Sequence, residues 1–221
     1  MLGKWLFQIA KSPLTGRLVG MGFEYGSRLL PVRKVFCSKE VLAFWHPQPS
    51  YQNHLIITPR KAVRNLQQMA NARFSGYFVN IWEAVQSIQA TQPAFQDSFV
   101  LIANGGKRQE VQQVHFHLFT HCRLIRESAA NLSHGTLICR DEVLDVMEPP
   151  NPEWELHFVC IPAQCQADLS VYFQKVLHTI QRLDNQFRIT EKGYSLIFQS
   201  DSEPAHMNDP VFHIVSGKKR T

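Results

Sequence analysis

Within the ten residues QQVHFHLFTH, from Gln112 to His121, two histidines stand one residue apart, His115 and His117. Residues two apart in an extended chain share a face. Gln113, His115 and His117 should therefore project one way, and Val114, Phe116 and Leu118 the other. Two imidazoles beside a carboxamide suit the capture of an anion or a metal ion. A lone histidine on a strand is more often a structural residue, but this pair has company. His54 closes a run after the Pro-rich HPQPSYQN, and the turn NGGKRQ, Asn104–Gln109, precedes the pair. Glycines in such a turn can aim backbone N–H groups at a phosphate, and Asn104 adds an amide.

Positioning these groups requires strands. EVLAFW and NHLIITP are apolar and β-branched on either side of the Pro-rich turn and read as a strand pair. SFVLIAN and EVQQVHFHLFTH read as two more around the Gly-Gly turn. Between the pairs, Phe74, Phe78, Ile81, Val85 and Ile88 recur at helical spacing. Strands, helix, strands is an α+β pattern, a mainly antiparallel sheet with a helix on one face.

The chain contains this pattern twice. FCSKEVLAFWHPQPSYQNHLIITP from Phe36 matches ICRDEVLDVMEPPNPEWELHFVCIP from Ile138, with Cys37 on Cys139 and His54 on His157. FSGYFVNIWEAVQSIQ from Phe74 matches LSVYFQKVLHTIQRLD from Leu169, and FVLIANGG from Phe99 matches YSLIFQSD from Tyr194. VHFHLFT then falls on PVFHIVS, so His117 meets His213 while Val211 stands where His115 does. The order of landmarks implies a duplicated unit, with an N-terminal helical extension over 1–33, a first unit over 34–126 and a second, degenerate one over 127–221. Two such units suit an internal pseudo-two-fold, an intrachain pseudo-dimer. One active site per chain is expected, in a monomer or weak dimer. The second pocket should be narrowed by Asp201, Glu203 and Pro204 in place of the glycine turn.

The arrangement resembles the histidine triad (HIT) superfamily of nucleotidyl hydrolases and transferases. The resemblance covers Val35 to Thr120 and rests on VLAFWHPQPSYQNHLIITPRK followed by NGGKRQEVQQVHFHL. The family's signature is three histidines at alternate positions, the middle one the nucleophile. The resemblance implies His115 as nucleophile, His117 as the third histidine, and His54 as the family's upstream histidine. Gln113 stands at the first histidine position, so Gln113→His would restore the triad. Asn104, Gly105, Gly106 and Gln109 fall on the phosphate-contacting turn. Glu110 takes the place of the Ser or Thr that helps the leaving group, and the position of the family's acidic, ribose-gripping residue falls near His46, which is not acidic. The implied partner is a nucleotide or nucleotide conjugate, with no cofactor. Galactose-1-phosphate uridylyltransferases also carry two such units, but their motif departs on the other side of the nucleophile, so that activity is not implied here. Two other readings stay open: a nucleotide-binding or interaction module whose site has drifted, and a zinc site of His54, His115 and His117.

Composition excludes little else. With 44% hydrophobic and 19% charged residues the chain can bury a sizeable core. A formal charge of +5 suits an anionic ligand. Lys and Arg are scattered apart from the terminal GKKRT, so nucleic-acid binding is not expected. Five cysteines without a CxxC pair imply a reducing, cytoplasmic setting. No apolar run is long enough to span a bilayer.

Overall fold

The computed structural model describes residues 32–71, 73–74, 76–126, 134–164, 168–200 and 209–220. The expected N-terminal helix, and the Asp201–Pro204 stretch expected to narrow a second pocket, lie outside the described residues. Ten strands form one antiparallel sheet: β1 (Lys34–Cys37), β2 (Val41–Trp45), β3 (Gln52–Pro59), β4 (Phe99–Gly105), β5 (Phe116–Thr120), β6 (Thr136–Arg140), β7 (Leu144–Glu148), β8 (Trp154–Pro162), β9 (Tyr194–Ser200) and β10 (Phe212–Lys219). The helices are α1 (Leu66–Met69), α2 (Gly76–Thr91), α3 (Leu169–Phe187) and α4 (Ile189–Lys192). The fold is α+β, as expected. No helix among the described residues is long and apolar enough to cross a membrane.

The sheet runs β1-β2-β3-β5-β4-β9-β10-β8-β7-β6, an order that reads the same way from either edge. Its midline is the β4–β9 pair. There, exchanging the strands (Phe99 to Tyr194, Gly105 to Ser200) turns the pair Phe99–Ser200 into Gly105–Tyr194 and leaves Ile102–Ile197 in place. That is the register a two-fold axis through Ile102–Ile197 requires. The two halves of the sheet therefore meet edge to edge, by main-chain hydrogen bonds, so neither keeps an exposed central edge.

The long helices lie on one face of this sheet and share a core. Phe78 of α2 stacks on Phe173 of α3 at 4.4 Å between ring centroids, and Trp82 meets Phe198 and Phe212 edge-on. Both helices present apolar residues at helical spacing: Phe78, Ile81, Val85 and Ile88 from α2, and Phe173, Val176, Leu177 and Ile180 from α3, all buried. Leu55, Ile57, Leu101, Ala103, Phe116 and Leu118 supply the sheet side of that core. The pleat turns the alternate residues, among them Ile56, Ile102 and His117, to the face the helices leave uncovered.

Candidate active site

On that face a cleft of about 390 Å³ is lined by His46, Gln48, Ser50, Tyr51, His54, Ile102, Asn104, Arg108, Glu110, Val111, His115 and His117. β3 carries His54, β4 carries Ile102 and Asn104, and β5 carries His117. A bulge at Asn53, which has φ +47°, shifts the β3–β5 register between Gln52 and Leu55. Asn53 is held there by its amide, which donates to Thr120 Oγ1 at 2.9 Å. The bulge brings His54 beside His117, with 2.9 Å between His54 Nε2 and His117 Nδ1.

Donors around the rings assign the tautomers. The Ser50 N–H points at His54 Nδ1 from 3.3 Å, so the His54 proton sits on Nε2 and is donated to His117 Nδ1. His117 then carries its own proton on Nε2. His115 differs: its Nδ1 lies 2.8 Å from the Gln113 carbonyl, an acceptor. Nδ1–H donates there, and Nε2 of His115 keeps its lone pair. The rings of His115 and His117 meet edge to face at 4.9 Å. An open nitrogen lone pair thus stands beside an N–H donor.

Burial keeps these rings neutral. Desolvation, followed by the neighbouring His46 and His115, lowers His54 from 6.5 to about 3. Burial, then His115, His54 and His46, lowers His117 to about 2. His115 is pushed down by burial too, against the opposing pull of the Gln113 carbonyl and the Glu110 carboxylate. A neutral His115 is the form that can attack.

Four of the expected site residues are not brought to the cleft. Gln113 is 1% exposed and turned inward. Its Oε1 accepts from the Val63 N–H at 3.2 Å, and its Nε2 donates to the Pro59 and Lys61 carbonyls at 3.1 and 3.0 Å. The reason is that β5 begins at Phe116, not near Glu110 as expected. Over 111–115 the chain pairs with the end of β3 and the loop that follows it: the Val114 N–H donates to the Val63 carbonyl at 2.6 Å, and the Val114 carbonyl accepts from Thr58 Oγ1 at 2.7 Å. Gln113 pins that loop under the strand bearing the histidines. Gln113→Ala should therefore cost about 3 kcal/mol of stability, because buried partners lose their hydrogen bonds. Gln113→His should destabilise as well and restore nothing, as an imidazole cannot serve all three backbone partners. Urea unfolding measures both variants.

Gly105 and Gly106 serve packing. A Cβ on Gly105 would lie 2.1 Å from the Tyr194 ring, and one on Gly106, at φ +58°, 2.1 Å from the Thr190 carbonyl oxygen. The turn is glycine-rich because the second unit presses against it. Gln109 also faces away, its amide donating to the Arg64 and Val111 carbonyls. His46, Asn104 and Glu110 do line the cleft. His46 stacks on His54 at 4.3 Å.

Sequence reasoning overlooked Arg108, Tyr51 and Ser195. Arg108 stands in the same NGGKRQ turn, and a cation beside an expected phosphate turn was the available signal. Ser195 had none, since it lies in the other unit. Its hydroxyl donates to Asn104 Oδ1 at 2.8 Å and accepts from Arg108 Nη1 at 3.0 Å.

The second unit repeats part of this arrangement. The Glu153 N–H points at His157 Nδ1 from 3.3 Å, and His157 Nε2 lies 3.0 Å from His213 Nδ1. Trp154 meets His157 edge-on, as Tyr51 meets His54.

The sequence pattern of the HIT domain matches residues 28–124. The match spans less than half of the chain. An uncharacterized 13.2 kDa HIT-like protein of Azospirillum brasilense is 26% identical over 101 residues, 43% of this chain and 80% of that one. Among solved structures, the fold is similar to an ADP-glucose phosphorylase from Arabidopsis thaliana with bound ADP-glucose, with TM-score 0.63 and 8% identity over 90% of this chain and 82% of that one. A DUF4931 family protein from Bacillus cereus gives 0.59 and 10% over 85% and 87%. A uridylyltransferase mutant gives 0.55 and 13% over 84% and 80%. These structural similarities extend over both units, whereas the HIT-domain match is confined to the first.

Proposed function

We propose that the protein is a nucleotide-phosphate hydrolase or nucleotidyltransferase that works through a nucleotidyl-histidine intermediate on His115. The observation that carries this is the tautomer arrangement. His115 Nδ1–H is fixed on the Gln113 carbonyl, which leaves Nε2 open in a cleft where the His117 Nε2–H can donate to a phosphoryl oxygen. The HIT domain supports a nucleotide substrate, and the ADP-glucose held by the Arabidopsis phosphorylase supports a nucleotide conjugate.

In this reading Nε2 of His115 attacks the α-phosphorus. Two steps with a neutral nitrogen nucleophile replace one difficult displacement. The His117 Nε2–H and the Asn104 amide meet the charge that develops on the phosphoryl oxygens. Asn104 has its oxygen engaged by Ser195, so its NH₂ is the end turned to the ligand. His54 holds His117 in the donating tautomer. Residues 34–126 are the unit that carries the site. Residues 127–221 are a second copy whose His157–His213 pair persists without a nucleophile, since Val211 stands at that position.

The donor set argues against the zinc reading. Among the described residues, the imidazole group whose ligand atoms lie within 4.8 Å of one another is His46, His54 and His117, without His115. Backbone N–H groups already address Nδ1 of His46 and of His54. Both rings therefore present N–H, not a lone pair, at Nε2.

The test is to quench the reaction with α-phosphate-labelled substrates from a panel of phosphoramidates, dinucleoside polyphosphates and nucleotide sugars. Label should stay on the protein in base and be lost in acid, as a phosphoramidate bond dictates. Turnover without trapped label would oppose the covalent route, and no turnover with any substrate would favour a binding module.

A further inference from the structure

Arg108 is a half-buried cation whose charge has no carboxylate within salt-bridge distance among the described residues. Its position depends on the other unit. Nη1 donates to Ser195 Oγ at 3.0 Å and Nη2 to the Gly217 carbonyl at 2.5 Å. A Cβ on Gly193 would lie 2.8 Å from Arg108 Cγ, so the second unit also shapes the channel for its stem. The Ser195 hydroxyl that receives Nη1 also fixes Asn104. One residue of β9 thus orients two groups of the first unit's cleft. The two-fold partner of Ser195 is Val100, which has no hydroxyl, so the second unit has no matching clamp.

A guanidinium has five N–H donors, and the contacts above use two. A desolvated cation is costly unless an anion joins it. Asn104 and His117 provide donors for the phosphoryl group under attack, and Arg108 is a further cation in the same cleft. We propose that Arg108, aimed by Ser195 and Gly217 of the second unit, binds a phosphoryl group on the leaving side, so that the preferred substrates are joined at the α-phosphorus by a pyrophosphate linkage. Nucleoside diphosphate conjugates and dinucleoside polyphosphates belong to this class, and phosphoramidates do not. The proposal rests on the His115 reading above.

The chemistry balances as follows. The Nε2 lone pair of His115 forms an N–P bond at the α-phosphorus, and the bond from that phosphorus to the bridging oxygen breaks. The electron pair stays on that oxygen, which departs as a terminal oxygen of the β-phosphate, its added charge met by Arg108. Water then forms a P–O bond, the N–P pair returns to Nε2, and the water proton passes to solvent.

The experiment compares kcat/KM for ADP-glucose and diadenosine triphosphate with that for adenosine phosphoramidate, together with the uridine equivalents. Arg108→Gln should lower the pyrophosphate-linked values about a hundredfold and the phosphoramidate value fivefold at most, as expected when a charge-assisted contact to one substrate class is lost. Arg108→Lys should fall between wild type and Arg108→Gln. Ser195→Val, which installs the residue found at the two-fold position, should shift the same ratio about tenfold. An equal fall on both classes, or no shift in the ratio, would overturn the proposal. If wild type turns over neither class, the His115 reading fails by itself. Calorimetric affinities for ADP against AMP, and UDP against UMP, then decide Arg108. A diphosphate preference lost in Arg108→Gln supports it; equal affinities, or no binding, overturn it.

Discussion

His115→Ala should abolish turnover, by about 10⁴-fold or more in kcat, while nucleotide affinity stays within about tenfold, or roughly 1.4 kcal/mol. A nucleophile contributes mainly in the transition state, whereas ground-state affinity rests on groups that touch the phosphates and the base. On the proposed reading those groups are Asn104, Arg108 and the His117 Nε2–H, and none is held by the His115 ring: Asn104 and Arg108 are fixed by Ser195, and His117 by His54. The substitution also removes only one hydrogen bond, to the Gln113 carbonyl, so the fold should survive. Single-turnover kinetics and calorimetric titration of the variant give the two numbers. A variant that keeps wild-type turnover would end the nucleophile reading, and one that also loses affinity a hundredfold would make His115 a binding group.

Stability should fall steeply as pH drops below about 6.5, well before carboxylates titrate. Two histidine pairs are responsible. His54 and His117 are lowered to about 3 and about 2, and His157 and His213 to about 4 and about 3, in each case chiefly by burial. These pKa values lie below the unfolded value, so the unfolded chain binds protons that the native state refuses. Stability is therefore full above 6.5 and is lost as pH falls toward the folded values. Counting one proton for each pair gives about 1.4 kcal/mol per pH unit per pair, or about 3 together. By pH 5 the loss is about 4 kcal/mol, a large share of a typical domain's 5–15. Urea midpoints between pH 7.5 and 4.5 measure it. Replacing both His157 and His213 with Leu should halve the slope without touching the cleft. A midpoint that holds steady down to pH 5 would refute the assignment.

The two pairs also separate roles within the site. His157 and His213 keep the geometry of His54 and His117, down to the backbone N–H on the first ring, with no nucleophile alongside. The pair is thus a way of joining β8 to β10, and β3 to β5, through buried rings. In the first unit the same linkage gains a second consequence, because it fixes which nitrogen of His117 faces the cleft.

Much of this was legible in the order of residues. Strand alternation is local, so the VHFHL pattern alone placed Phe116 and Leu118 on the helix side and His117 on the other. The amphipathic spacing of α2 and α3, the repeated landmarks and the α+β order are equally local or arise from comparing the chain with itself. The position of His54 relative to His117 was not legible, because it depends on a bulge at Asn53 that resets the cross-strand register. Nor was Gln113, which a simple pleat turns toward the cleft; its side chain is drawn inward because the Val63 N–H and the Pro59 and Lys61 carbonyls require partners. The glycines of NGGKRQ read as a phosphate turn until the Tyr194 ring and the Thr190 carbonyl were seen to occupy the space where their side chains would be. Ser195 and Arg108 meet only because β9 pairs with β4. Sequence by itself determined the elements and the reactive residue types, both matters of short-range periodicity. Tertiary structure alone decided which side chains share the cleft and which unit holds them, because those contacts form between segments far apart in the chain.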